Sequence, residues 1–337
     1  MVDSKQQWKA WIYLAPAIVL LLIFTVWPII NTLAMAFTED YSSLSAIGGK
    51  EFTYGIKNFQ KVIEYKGFIN CLKNTLLLCV LTVPISTILA LVIAVCLNSI
   101  KFLQRFLQTI FFLPYVTNSI AIGMVFAAMF NIVGNTAADV QVVETVGIIN
   151  NALGLFGVEP INWINAGSTY AANITVMTIY IVWNALPFKI LILLGGLQSV
   201  NKQYYEAAKI DSTPRFRVFT KITVPLLSPM LAYVVITGFI GGFKEYSSIV
   251  GIFGDKMGPA GDYGRLNTMV GYIYDSIKNH QGRASAAALI LFGIIFIVTM
   301  ISLADKMVKL CERITELEKQ QKPKRKTALD AVRMVKK

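Results

Sequence analysis

The chain has a single histidine, His280, which excludes a metal cluster built on histidines. Its four cysteines, Cys71, Cys79, Cys96 and Cys311, form no C-x-x-C pair. That spacing points to neither a zinc site nor a disulfide framework. Charge is also scarce: Asp, Glu, Lys and Arg make up 15% of the residues, against roughly 25% in an ordinary soluble domain. No G-x-x-x-x-G-K-[ST] occurs anywhere, so the chain lacks the phosphate loop with which many proteins bind ATP. No internal repeat stands out. With one histidine and few carboxylates in its apolar runs, the chain also lacks the convergent acid, base or nucleophile set that a membrane enzyme needs.

What is abundant is apolar surface. Of 337 residues, 55% are hydrophobic, more than a water-soluble protein of this length can bury. A membrane span needs about 20 apolar residues to cross a hydrocarbon core of about 30 Å. Six stretches qualify: 11–37, 74–99, 106–132, 171–197, 226–252 and 284–304. The first is too long for a signal-peptide core and no small-residue cleavage site follows it, so it is read as a retained helix. Backbone groups in lipid must be satisfied within the segment, which makes each stretch a helix. The expected fold is therefore all-α and integral to the membrane, with six transmembrane helices. Its parts are a cytoplasmic N-terminus (1–10), a transmembrane domain (11–304) and a basic cytoplasmic tail (305–337).

The net charge of +12 would suggest nucleic acid in a soluble protein. Here the bases cluster by topology instead, and no nucleic-acid partner is expected. The connection after the second stretch has Lys101 and Arg105 and no acid. The one after the fourth has Lys202, Lys209, Arg215, Arg217 and Lys221 against Glu206 and Asp211. The tail after Ala304 has eleven bases and five acids, a composition suited to anionic lipid headgroups. The connection after the third stretch has Asp139, Glu144 and Glu159 and no base. Bases favour the cytoplasmic side, so both termini are expected there. The long external connections are expected to hold a short helix within 38–73 and an amphipathic helix in "GIINNALGLFG", followed by Trp163 at the membrane interface.

Polar residues inside apolar runs are costly and mark pathways. Lys244 and Glu245 interrupt the fifth stretch, and as helix neighbours they would project about 100° apart. They serve either a solute or an ion pair to another helix. The fourth stretch has Trp183, Asn184 and Phe188 around Pro187, an aromatic-plus-amide set suited to a sugar ring and also to packing at a proline kink. Lys189 can snorkel toward the cytoplasm. Asn118 and Ser119 follow Pro114 in the third stretch, where small polar residues also serve as helix–helix glue.

The connection at 197–229 reads "LQSVNKQYYEAAKIDSTPRFRVFTKITVPLLSP". Its periodicity predicts two short helices with Tyr205, Ala208, Phe216, Phe219 and Ile222 on one face. Asp211 to Pro214 would stop one helix and restart the next, with Ser212 or Thr213 as N-cap and Pro214 at the first helical position. Such a pair is either a plain interfacial loop or a docking knob for another protein.

Leu197, Gln198, Ser199, Tyr205, Glu206, Ala207, Ala208 and Asp211, then Phe219, Ile222, Pro225, Leu227 and Pro229, resemble the EAA loop of permease subunits of binding-protein-dependent ABC importers. "FFLPYV", "GIINNALGLFG" with "INW", and "GRASAAALILFGII" resemble the maltose-type sugar permeases within that class. Two departures are Ser212, where the family usually has glycine, and Asn201, where proline is usual. The resemblance implies a sugar-translocating subunit without enzymatic activity. It implies ATPase coupling through Tyr205, Glu206, Ala207, Ala208, Asp211 and Ser212, and solute contact by Asn118, Ser119, Trp183, Asn184, Phe188, Lys244 and Glu245. No cofactor is expected in this chain, since ATP and magnesium would be bound by the partner. The implied partners are a second permease, two ATPase subunits and an extracytoplasmic solute-binding protein, in the cytoplasmic membrane of a prokaryote. An ion-coupled carrier is the main alternative, but such folds usually show repeated halves.

Overall fold

The structure is a computed structural model that describes residues 7–49, 51–100, 104–133, 145–301 and 303–304. The expected charged helix of the tail and the first six residues lie outside them. The chain forms two compact units, Met1–Leu291 and Phe292–Lys337. In the second, Phe292 and Phe296 stack one helical turn apart, with ring centroids at 6.1 Å.

Four helices are long and apolar enough to cross a membrane: Trp11–Phe37, Lys66–Ser99, Tyr170–Ser199 and Gln281–Ile301. Two bent pairs bring the count to six if each is one span. The first long helix comprises α1 (Gln7–Leu21), a π-turn at Leu22–Val26 and α2 (Trp27–Phe37). It is followed by α3 (Ser43–Ile47), α4 (Lys57–Glu64) and the long α5 (Lys66–Ser99). Then come α6 (Gln104–Val116), α7 (Ser119–Phe130), the two-residue antiparallel pair β1 (Ile132–Val133) and β2 (Thr145–Val146), and α8 (Ile148–Gly154). The rest is α9 (Tyr170–Ser199), α10 (Gln203–Ile210), α11 (Arg215–Val218), α12 (Val224–Leu226), α13 (Ser228–Phe243), α14 (Ser247–Phe253), α15 (Met269–Ile277) and α16 (Gln281–Ile301).

Two expected straight spans are broken. The third bends by 98° between Val116 and Ser119. Pro114 has no N–H to give its helix, and Asn118 restarts the chain by accepting from the N–H of Ile120 at 2.9 Å and of Ala121 at 3.4 Å. The fifth bends by 68° at Leu227, between Pro225 and Pro229, neither of which has an N–H to give its helix. It then unwinds at Lys244–Tyr246, where the amides of Lys244 and Glu245 make three-residue turns to Gly241 and Gly242 at 2.9 and 3.2 Å. Lys244 and Glu245 are therefore not helix neighbours as the sequence pattern suggested.

Two cores hold the first unit. One joins Leu78 of α5, Phe130 of α7, Val176, Met177 and Tyr180 of α9, and Ile249 and Ile252 of α14. The other joins Ala90, Ala94 and Leu97 of α5 to Ile190, Leu193, Leu194 and Leu197 of α9, closed by Leu227 and Val234. Where α7 crosses α14, a Cβ on Gly123 would sit 2.7 Å from the Gly251 Cα, so only glycine permits that approach. Trp163, expected at the membrane interface, is half-buried on Phe130 and donates its indole N–H to the Asn150 amide oxygen at 2.9 Å.

The 38–73 connection holds two short helices rather than one. Buried Asn58 of α4 donates to the carbonyls of Ala36, in the last turn of α2, and of Thr38 just past it. Asp40 collects Lys61, Lys57 at 3.5 Å and Arg283 at 4.0 Å. The hydrogen bond from Lys61 holds its carboxyl below the usual carboxylate range, more than partial burial raises it, and the charges of Lys61 and Lys57 add to the lowering. Because the folded-state value is the lower one, this stabilisation is full above the unfolded carboxylate pKa of about 3.9 and is lost as pH falls through the folded value. Asp40→Asn should cost no more than about 1 kcal/mol near neutral pH, since the group is partly exposed. The melting temperatures of wild type and variant in detergent should converge below about pH 4.

Candidate functional site

Between α5, α6, α9 and α13 lies a cavity of about 280 Å³, whose lining includes Tyr115, Asn184, Phe188, Lys189, Thr237 and Glu245. The Tyr115 and Phe188 rings stack with centroids 5.9 Å apart. Tyr115 follows Pro114 at the end of α6, and Phe188 follows Pro187 inside the continuous α9. Asn184 reaches the Ser119 hydroxyl at 3.5 Å, and buried Tyr180 donates to the Ser119 carbonyl. Of the solute-pathway residues named from sequence, Asn184, Phe188 and Glu245 thus share one cavity, with Ser119 beside it. The other three sit elsewhere. Asn118 caps α7, Trp183 packs on Phe126 at 5.3 Å, and Lys244 is exposed at the end of α13.

Lys189 is the largest departure from the sequence reading. It does not snorkel: it is 4% exposed. Its ammonium donates to the Val83 carbonyl at 3.2 Å, the Ser86 hydroxyl at 2.7 Å and the Thr87 hydroxyl at 3.0 Å. A buried cation is tolerable only when its hydrogens find acceptors, and one turn of α5 supplies all three. Gly238 of α13 makes room, since a Cβ there would lie 3.2 Å from the Lys189 nitrogen. The clue in the sequence was a lone charge within an otherwise uncharged span. Tyr115 and Thr237 had no such signal. Lys189→Glu should turn a buried carboxylate onto the Val83 carbonyl, which has no hydrogen to give it, and cost more than about 3 kcal/mol. The measurement is the monodisperse fraction after detergent extraction, and Lys189→Met should lose less of it.

The loop after α9 is the second element. Tyr205, Glu206, Ala207 and Ala208 lie on α10, and Asp211 is its C-cap. Ala208 is buried, Tyr205 is half-buried with its hydroxyl 3.4 Å from that of Thr223, and Glu206, Ala207, Asp211 and Ser212 are exposed. The helix ends in a Schellman turn: Thr213 N–H bonds Ala208 O at 2.9 Å and Ser212 N–H bonds Lys209 O at 3.1 Å. Ser212 therefore takes φ +51°, the left-handed conformation that favours glycine. Neither Ser212 nor Thr213 caps α11; Pro214 itself is the N-cap, not the first helical residue. Phe216 also departs from the expected shared face: it is 78% exposed, as is Ile210 at 85%. Sequence periodicity carried one face straight across the Asp211–Pro214 turn, and Phe216 beyond that turn does not keep it. Ser212→Gly should relieve about 1 kcal/mol of strain. Slower proteolysis within the loop would register it.

Among the described residues no group of three or more His, Cys, Asp or Glu side chains could hold a metal ion.

Residues 83–313, more than half of the chain, match the family described as "Binding-protein-dependent transport system inner membrane component". The chain belongs to that family. It is a multi-pass membrane protein and a transport permease rather than an enzyme. It is 31% identical to a probable ABC transporter permease protein of Mycoplasma genitalium over 85% of this chain and 81% of that one. It is 28% identical to the lactose transport system permease protein LacF of Rhizobium radiobacter (87% and 91% covered). It is 29% identical to the arabinooligosaccharides transport system permease protein AraP of Bacillus subtilis (87% and 87%). Its fold is similar to a chain in the crystal structure of a bacterial ABC transporter involved in the import of alginate, with a TM-score of 0.70, 20% identity and 90% and 96% of the two chains covered.

Proposed function

We propose that this chain is a permease subunit of an ATP-driven importer that moves a sugar or oligosaccharide across the cytoplasmic membrane of a prokaryote. The observation that carries the reading is the cavity between α5, α6, α9 and α13, where an aromatic pair, an amide and a carboxylate meet inside apolar helices. Sugar rings present C–H faces to aromatics and hydroxyls to polar groups, and this cavity offers both. The lactose and arabinooligosaccharide permeases among its relatives support a carbohydrate.

In this reading the six spans leave both termini in the cytoplasm and the 198–228 loop on the same side. The exposed Glu206, Asp211, Ile210 and Phe216 offer a partner two charges and two apolar anchors. A separate ATPase pair docks there and binds ATP and magnesium, which this chain does not. A second permease completes the pathway, and an extracytoplasmic binding protein delivers solute. Closure of the ATPases pushes the docking loops together and turns the cavity outward. Binding-protein docking favours the same state by its differential affinity for it.

Purification of the tagged chain from mild detergent should recover an ATPase and a second permease; recovery of the chain alone would overturn the reading. Glu206→Ala or Asp211→Ala should lower uptake by about tenfold or more while the protein stays in the membrane and the partner ATPase still hydrolyses ATP. Parallel assays of uptake and phosphate release check this.

A further inference from the structure

We propose that the cavity selects uncharged sugars against acidic ones, and that Glu245 is the residue that sets this selectivity. The proposal rests on the sugar-importer reading and narrows its substrate class.

Two opposite charges line the cavity, and they are not equivalent. All three ammonium hydrogens of Lys189 are taken by acceptors of α5. The Ser86 and Thr87 hydroxyls that accept from it donate their own hydrogens to the Thr82 and Val83 carbonyls. Lys189 therefore has no donor to spare for a solute carboxylate. Glu245 is the reverse case. Its carboxylate accepts from the Ser248 N–H at 3.2 Å and has no ion-pair partner among the described residues. An ionised carboxylate has about four acceptor positions; the Ser248 hydroxyl and the Tyr246 N–H also reach it, and what is left faces the cavity. The break at Lys244–Tyr246 releases it from the helix and lets it do so.

The consequence is a wall that accepts hydrogen bonds and has no free cation. Sugar hydroxyls are donors and fit it, while Tyr115 and Phe188 take the ring faces. A uronate adds a second anion next to Glu245, desolvated and with no free cation in the lining to pair with, the kind of repulsive element that rejects a competitor.

The test uses the importer complex purified with its co-purifying subunits and without binding protein, so that the cavity alone is probed. Saturation-transfer NMR titrations compare a neutral trisaccharide of glucose with a trisaccharide of galacturonic acid. The neutral sugar should bind more tightly by about tenfold or more; Glu245→Gln should shrink that ratio to within about threefold, and Glu245→Asp should keep it. Equal binding by the wild type, binding of neither sugar, or a ratio unmoved by Glu245→Gln would overturn the proposal. Import of a uronate by the reconstituted complex would sink this proposal alone, whereas import of no carbohydrate at all would sink the sugar reading with it.

Discussion

The interaction on which the rest of the first unit depends is the seating of the Lys189 ammonium on one turn of α5. A cation within apolar helices needs all its hydrogens satisfied by protein. That need fixes the rotation and depth of α9 against α5. Once these two helices are locked, the Ile190–Leu197 side of α9 meets Ala90, Ala94 and Leu97 in one core. The Val176–Tyr180 side meets α7 and α14 in the other. Phe188 and Asn184, on the same helix, are thereby turned toward the cavity, and the glycine at 238 lets α13 close over the lysine.

The second constraint is the backbone's need for hydrogen bonds in an apolar setting. Non-helical backbone is tolerated at that depth only where side chains or turns take over. Asn118 does so at the bend between α6 and α7, and three-residue turns at Gly241 and Gly242 do so before α14. Both breaks border polar groups: Ser119 and Tyr180 at the first, Glu245 at the second. Irregular backbone and candidate function thus coincide, because a break frees side chains that a continuous helix would point along its own surface.

Much of this was legible in the sequence. Hydropathy located the long helices within a few residues, except that α5 starts at Lys66 rather than near residue 74, since a polar first turn does not register in an apolar window. The helix of the loop after α9 was legible from Tyr205 to Asp211, where helical spacing and the family pattern agree. The bends were only half legible. Prolines at 225 and 229 flank one, but the right-angle turn at Asn118 depends on a cap whose effect composition does not reveal. The partnership of Asn184, Phe188 and Glu245 was legible as chemistry and not as geometry. Which polar residues of separate helices meet is decided by helix rotation, and that is set by contacts between distant parts of the chain. Lys189 illustrates the same limit. A single charge in a span reads equally well as a snorkelling end or a buried clamp until its three acceptors on α5 are placed beside it.

The central claim is that transport through this chain is driven by ATP hydrolysed on a partner. Its most direct test is uptake of a labelled oligosaccharide into proteoliposomes that contain the co-purified complex and its binding protein, with and without ATP on the ATPase side. Uptake that requires ATP and persists when ion gradients are collapsed is the predicted result. Uptake by this chain alone, without ATP and abolished by collapsing an ion gradient, would contradict the account.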